Sequence, residues 1–120
     1  MSRNHLLFVV GTLLAWIHTV DEILTREYDA VLIGVVNLVV ALAWPRLRRG
    51  WQAAAALLFG LLWMVGAIAY HLVNLFGADA TRGDYTSVTR VVGGLLMLAV
   101  AAALLGRRRP ADRSLPEVDR

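Results

Sequence analysis

The chain is 120 residues long, carries twelve basic and nine acidic residues for a net charge of +3, and contains no cysteine. Hydrophobic residues make up 58% of it and glycine fills ten more positions, so the apolar set reaches about two-thirds against about 45–50% in an ordinary soluble domain. Such a composition excludes a disordered chain, a collagen repeat, a disulfide scaffold and a thiolate metal centre, and the length allows one domain.

Four stretches lack any Asp, Glu, Lys or Arg: 6–20, 30–44, 51–78 and 91–106. Leu, Val and Ala occupy every helical face of these stretches, whereas a surface helix would show an apolar stripe. An open sheet of the Val-rich second stretch would leave unpaired edges in lipid. The expected fold is therefore an all-α integral membrane protein, with four antiparallel transmembrane helices over about 5–25, 28–45, 51–77 and 85–106 forming a compact bundle within 1–109. Arg3 followed by an apolar run has the outline of a signal peptide, but His18-Thr19-Val20-Asp21-Glu22 lacks a small-x-small cleavage pattern, so the first stretch reads as a permanent helix.

All twelve basic residues are Arg. Arg3, the cluster Arg46, Arg48, Arg49, and the tail residues Arg107, Arg108, Arg109, Arg113 and Arg120 fall on one side of the alternating helices, and only Arg26, Arg82 and Arg90 on the other. The positive-inside rule then puts both termini in the cytoplasm of a multi-pass plasma-membrane protein of the bacterial inner-membrane kind. Trp44, Trp51, Tyr28 and Tyr85 suit interfacial aromatic belts. Residues 110–120, with two prolines and alternating charge, read as a disordered cytoplasmic tail. The Arg clusters follow from topology and give no nucleic-acid signature. Small residues four apart, Ala56 with Gly60 and Ala99 with Ala103, allow close helix packing.

Polar residues collect toward the external ends of the spans. In the first helix His18, Asp21, Glu22 and Thr25 share a face by i, i+3, i+4, i+7 spacing. In the third, His71 and Asn74 lie one turn apart. Asn37 sits near mid-depth of the second, and Arg90 in the first turns of the fourth is the natural counter-ion for Asp21 or Glu22. Lipid offers no hydrogen-bond partner, so these groups are expected to face one another in an outward-facing polar pocket of His18, Asp21, Glu22, Asn37, His71, Asn74 and Arg90. Asn37 also fits a plain interhelical hydrogen bond, and Gly93-Gly94 close packing.

Several functions fit this pocket. There is no phosphate loop, no cysteine and no nucleophile constellation, so the leading expectation is a non-catalytic subunit that binds a lipid or a membrane partner. Acid–base chemistry on a lipidic substrate is an alternative, with His18, Glu22 and His71 as candidate catalytic groups. The string Trp16-Ile17-His18-x-x-x-Glu22 resembles the His and Glu of emopamil-binding-type sterol isomerases over fewer than ten residues, which implies the same lipid-directed proton chemistry and assigns no family. Transport of protons, ions or small solutes is a further alternative and needs a homo-oligomer, because four helices enclose little space. No cofactor is required, although His18, Asp21, Glu22 and His71 are candidate ligands for a divalent metal.

Overall fold

The computed structural model describes residues 1–106. The tail read as disordered and the Arg107-Arg108-Arg109 run lie outside the described residues. Among these the secondary structure is entirely helical: α1 (Arg3–Leu24), α2 (Val31–Ala43), α3 (Arg49–Tyr70), the short α4 (Arg82–Thr86) and α5 (Val88–Gly106), with 3-10 turns at Trp44–Arg46 and Leu72–Phe76. Three stretches, Arg3–Leu24, Arg49–Phe76 and Arg82–Gly106, are long and apolar enough to cross a membrane, while Val31–Arg46 is apolar but shorter.

Local chemistry sets the helix ends. Ser2 caps α1, its hydroxyl accepting from the His5 amide at 3.1 Å. At the other end Glu27 N–H donates to the Glu22 carbonyl and Arg26 N–H to the Ile23 carbonyl, the bond pair of a Schellman close. The residue in the left-handed position is Arg26, with φ of 63°, where glycine is usual. This close brings the chain round early, so α2 starts at Val31. Pro45 then ends the α-helical bonding, since proline lacks the N–H that would continue it, and the chain runs on as one 3-10 turn with Trp44 still in helical geometry. The outcome is a helix of 13 residues, about 20 Å at 1.5 Å per residue, shorter than the 28–45 span the sequence suggests.

The third helix also ends early. His71 breaks it at φ −126°, so residues 72–76 form a 3-10 turn instead of the continued helix expected to 77. Thr81 then caps α4 in a capping box: its hydroxyl accepts from Asp84 N–H, and the Asp84 carboxylate accepts from Thr81 N–H at 2.9 Å.

Around the structure α1 packs on both α2 and α5, and α3 packs on α5. Helix α5 is central because it presents glycine to both neighbours. A Cβ on Gly93 would stand 2.5 Å from the Gly11 carbonyl oxygen of α1, and one on Gly94 would stand 2.9 Å from the Gly60 carbonyl oxygen of α3. The small-residue contact thus runs through Gly11, Gly60, Gly93 and Gly94. Ala99 is exposed, so the expected pairing of Ala99 with Ala103 does not make a helix contact. Trp44 also departs from expectation. It is buried and stacks on Phe8 with centroids 4.5 Å apart, so it belongs to the core and not to an interfacial belt. Trp51, Tyr28 and Tyr85 are exposed.

Candidate functional site

The last two turns of α1, the end of α3 and the α4–α5 start meet at one end of the molecule. Helical spacing on α1 sends His18, Thr19 and Glu22 inward together, and all three are buried. The break at His71 frees its ring from the α3 axis and lets it turn toward α1. His18 Nε2 and His71 Nε2 stand 3.2 Å apart, with the rings nearly perpendicular. The Glu22 carboxylate Oε2 lies 3.5 Å from His18 Nε2. One ligand atom from each of His18, Glu22 and His71 falls within 4.8 Å of the other two.

The outer nitrogens of both rings have partners. His71 Nδ1 lies 3.0 Å from Asp84 Oδ1. A carboxylate only accepts, so this partner assigns the His71 proton to Nδ1. His18 Nδ1 lies 2.6 Å from the Thr86 hydroxyl. That hydroxyl also lies 3.3 Å from Asp21 Oδ2 and 3.2 Å from the Gly83 carbonyl, and when it donates to either of these it accepts from His18 Nδ1–H. Asp84 joins two structures with one side chain: one oxygen closes the capping box of α4 and the other orients His71.

Arg90 occupies the adjoining position on α5. Its Nη2 donates to Glu22 Oε1 at 2.7 Å and to the Thr19 hydroxyl at 2.9 Å, and its guanidinium lies 4.6 Å from the centroid of the Trp63 ring, within cation–π range. Its Nε–H is buried and has no partner among the described residues. Asp21 turns the other way, pairing with the exposed Arg82 at 2.6 Å.

Of the expected pocket, Asn37 stands apart from this cluster, and Asn74 borders it along a polar cleft shared with Asp21, His71 and Asp84. Asn37 is fully buried but bonds Trp63 Nε1–H at 2.7 Å and the Thr12 hydroxyl at 3.1 Å, an interhelical link between α1, α2 and α3. It reaches Arg90 only through the Trp63 ring. Asn74 sits in the 3-10 turn, exposed, its amide donating to the Tyr70 carbonyl, so it does not share a helical face with His71. Conversely, Thr19, Trp63, Asp84 and Thr86 were outside the expected pocket. Thr81-x-x-Asp84 is a readable capping signal that locates Asp84; nothing comparable in the sequence marks Thr86 or Trp63.

A cleft of about 730 Å³ opens beside the cluster. Glu22, His71 and Arg90 line one part of its wall, and Ile33 of α2 with Leu58, Leu61 and Leu62 of α3 line another. It occupies the space between α2 and α3, which make little direct contact. A second cleft of about 840 Å³ is lined by polar groups that include Asp21, His71, Asp79 and Arg82, so His71 borders both.

No protein-family model, curated protein or solved structure matches this chain, and the functional reading rests on the geometry above.

Proposed function

We propose that this chain is a small multi-pass membrane protein that binds an amphiphile, a lipid with a hydrogen-bond-accepting head, in the cleft between α2 and α3. Support for membrane insertion comes from the outer surface: Leu13, Leu42, Leu58, Val65 and Leu105 are each more than half exposed, and a monomer in water rarely presents apolar surface on that scale. In this reading the four helices cross antiparallel with both chain ends cytoplasmic, as the Arg distribution favours. The His18–Glu22–His71 cluster then lies in the outer leaflet, and the short α2 is accommodated by local thinning of the bilayer.

The observation that carries the binding reading is the composition of the cleft. Its apolar wall suits an acyl or prenyl chain, and its polar end holds His71, Glu22 and a buried Arg90 whose Nε–H lacks an acceptor. A buried donor without a partner costs about 1–3 kcal/mol, a deficit that a headgroup oxygen removes once the Arg90 side chain turns its Nε–H toward the cleft. Arg90 is already neutralised by Glu22, so an acceptor serves as well as a full anion. The reading is non-catalytic; a second copy of the chain or a partner helix would compete for the same cleft.

Native mass spectrometry of the detergent-purified protein tests this. The expected spectrum carries one retained lipid per chain, lost in Leu62→Trp, which fills the apolar wall without touching a buried polar group. A wild-type spectrum free of lipid, or equal retention in Leu62→Trp, overturns it.

A further inference from the structure

The two histidines present an electrostatic problem that the amphiphile reading does not resolve. When each ring carries its proton on Nδ1, toward Asp84 and Thr86, both Nε2 atoms present lone pairs, and they face each other at 3.2 Å. The Glu22 Oε2 oxygen stands 3.5 Å from the first of them, and its partner oxygen Oε1 is already occupied by Arg90. In that tautomer three electron pairs converge on one point, in a place that low dielectric makes unfavourable for bare acceptors. A cation at that point turns the repulsion into attraction.

We infer that His18 Nε2, His71 Nε2 and Glu22 Oε2 bind a single divalent transition-metal ion, with Zn²⁺ the ion the donor set fits. Two imidazoles and one carboxylate with a further position open is a recurrent zinc set. Donors about 2.0–2.1 Å from a tetrahedral ion stand about 3.3 Å apart; the two separations that involve His18, 3.2 and 3.5 Å, bracket that value, and the third lies within 4.8 Å. The surroundings match as well. Metal-bound histidines donate their second N–H to a carboxylate, carbonyl or similar acceptor, which fixes the tautomer and aims the ring; His71 does so to Asp84 directly, and His18 to Thr86, which can hand its own proton to Asp21. Glu22 is held by Arg90 through one oxygen, leaving the other directed at the histidines. The His71–Glu22 side of the triangle closes by up to about 1.5 Å to complete the site. Glu22 and His71 both line the α2–α3 cleft, so the open position lies on that side.

This inference does not depend on lipid binding, and its experiment reads metal alone. The full chain, purified in detergent on a tag free of histidine and stripped with a chelator, is titrated with Zn²⁺ and separately with Co²⁺. Elemental analysis is expected to return one ion per chain, and Co²⁺ to give the visible absorption of a four-coordinate site. His71→Ala, at the rim, is expected to abolish saturable uptake. Asp84→Asn, which keeps a side chain of the same shape behind His71, is expected to weaken binding about 10–100-fold. Circular dichroism and gel filtration report whether each variant is folded; if His71→Ala fails there, Glu22→Gln takes its place. Absence of saturable uptake by the wild-type chain overturns the inference and leaves a shared proton between the histidines. Uptake that persists undiminished in the folded His71→Ala or Glu22→Gln variant equally overturns it, since the ion then sits elsewhere.

Discussion

Replacing Gly93 with alanine tests whether the glycine faces of α5 set the geometry of the polar cluster. The added Cβ would meet the Gly11 carbonyl oxygen at 2.5 Å, and ordinary contact begins near 3.4 Å, so α1 and α5 must separate by roughly 0.9 Å at the crossing. The obstacle is backbone on the partner helix and cannot rotate away. Overpacking of this sort costs about 1–3 kcal/mol, and a 2.5 Å contact with rigid backbone belongs at the upper end; alanine recovers about 0.5–1 kcal/mol of helix propensity, for a net loss of about 2 kcal/mol. Gly94→Ala meets the Gly60 carbonyl at 2.9 Å and Met64 Cγ at 2.6 Å; Gly60→Ala meets mainly the Leu98 side chain, which can yield. The expected order of destabilisation is therefore Gly93, then Gly94, then Gly60. Gly66, with open space where a Cβ would go, is expected to gain about 0.5–1 kcal/mol on the same substitution. Titration with sodium dodecyl sulfate, followed by tryptophan fluorescence in mild detergent, ranks the four. Arg90 lies three residues before Gly93, so the same separation stretches its 2.7 Å bond to Glu22. A Gly93→Ala protein as stable as the wild type would refute the reasoning.

Three further substitutions probe individual features. Arg90→Ala leaves the Glu22 carboxylate buried without its cation; breaking such a pair costs about 3–5 kcal/mol, so a large drop in thermal midpoint is expected, and Glu22→Gln with Arg90→Ala together should recover part of it. Arg26→Gly relieves a left-handed residue at the close of α1 and is expected to stabilise by about 1 kcal/mol, visible as a higher unfolding midpoint in the same titration. Asn37→Ala strands the Trp63 indole N–H and is expected to cost about 1–3 kcal/mol with a shift in tryptophan emission, whereas uptake of Zn²⁺ should change little because Asn37 touches neither histidine.

Much of the helix content follows from composition, since uncharged stretches rich in Leu, Val and Ala have few alternatives, and the i, i+3, i+4 spacing on α1 fixes which face His18 and Glu22 share. The helix ends were less legible. Arg26 in a left-handed close gives no residue-type signal, because glycine is the usual occupant, and the break at His71 depends on the ring finding Asp84 across the turn, a contact between residues thirteen apart. That break takes Asn74 off the helical face of His71, onto the wall of the polar cleft, and lets Asp84 meet the ring. Trp44 illustrates a different limit: a tryptophan beside an Arg turn reads as an interfacial residue, yet Phe8 of α1 supplies a ring to stack on, and packing outweighs position.

The two buried polar layers differ in a way that separates structure from function. Around Asn37 the accounting is complete: its oxygen takes the Trp63 N–H, its amide donates to Thr12, and Thr12 passes its own proton to the Phe8 carbonyl. A satisfied network of this kind holds helices in register and calls for nothing from outside. The layer above it, joined to the first by the Trp63 ring under Arg90, is not complete. Arg90 Nε–H has no acceptor among the described residues, and two imidazole Nε2 atoms stand 3.2 Å apart with a carboxylate beside them. Folded proteins leave few buried polar groups unpaired, and those that remain unpaired usually have an absent partner. If the upper layer served packing alone, the cheaper arrangement was available one turn below, where asparagine and threonine do the same work without charge. Retaining Arg, Glu and two His at a buried position makes sense when an acceptor from the cleft and a cation between the rings complete the set.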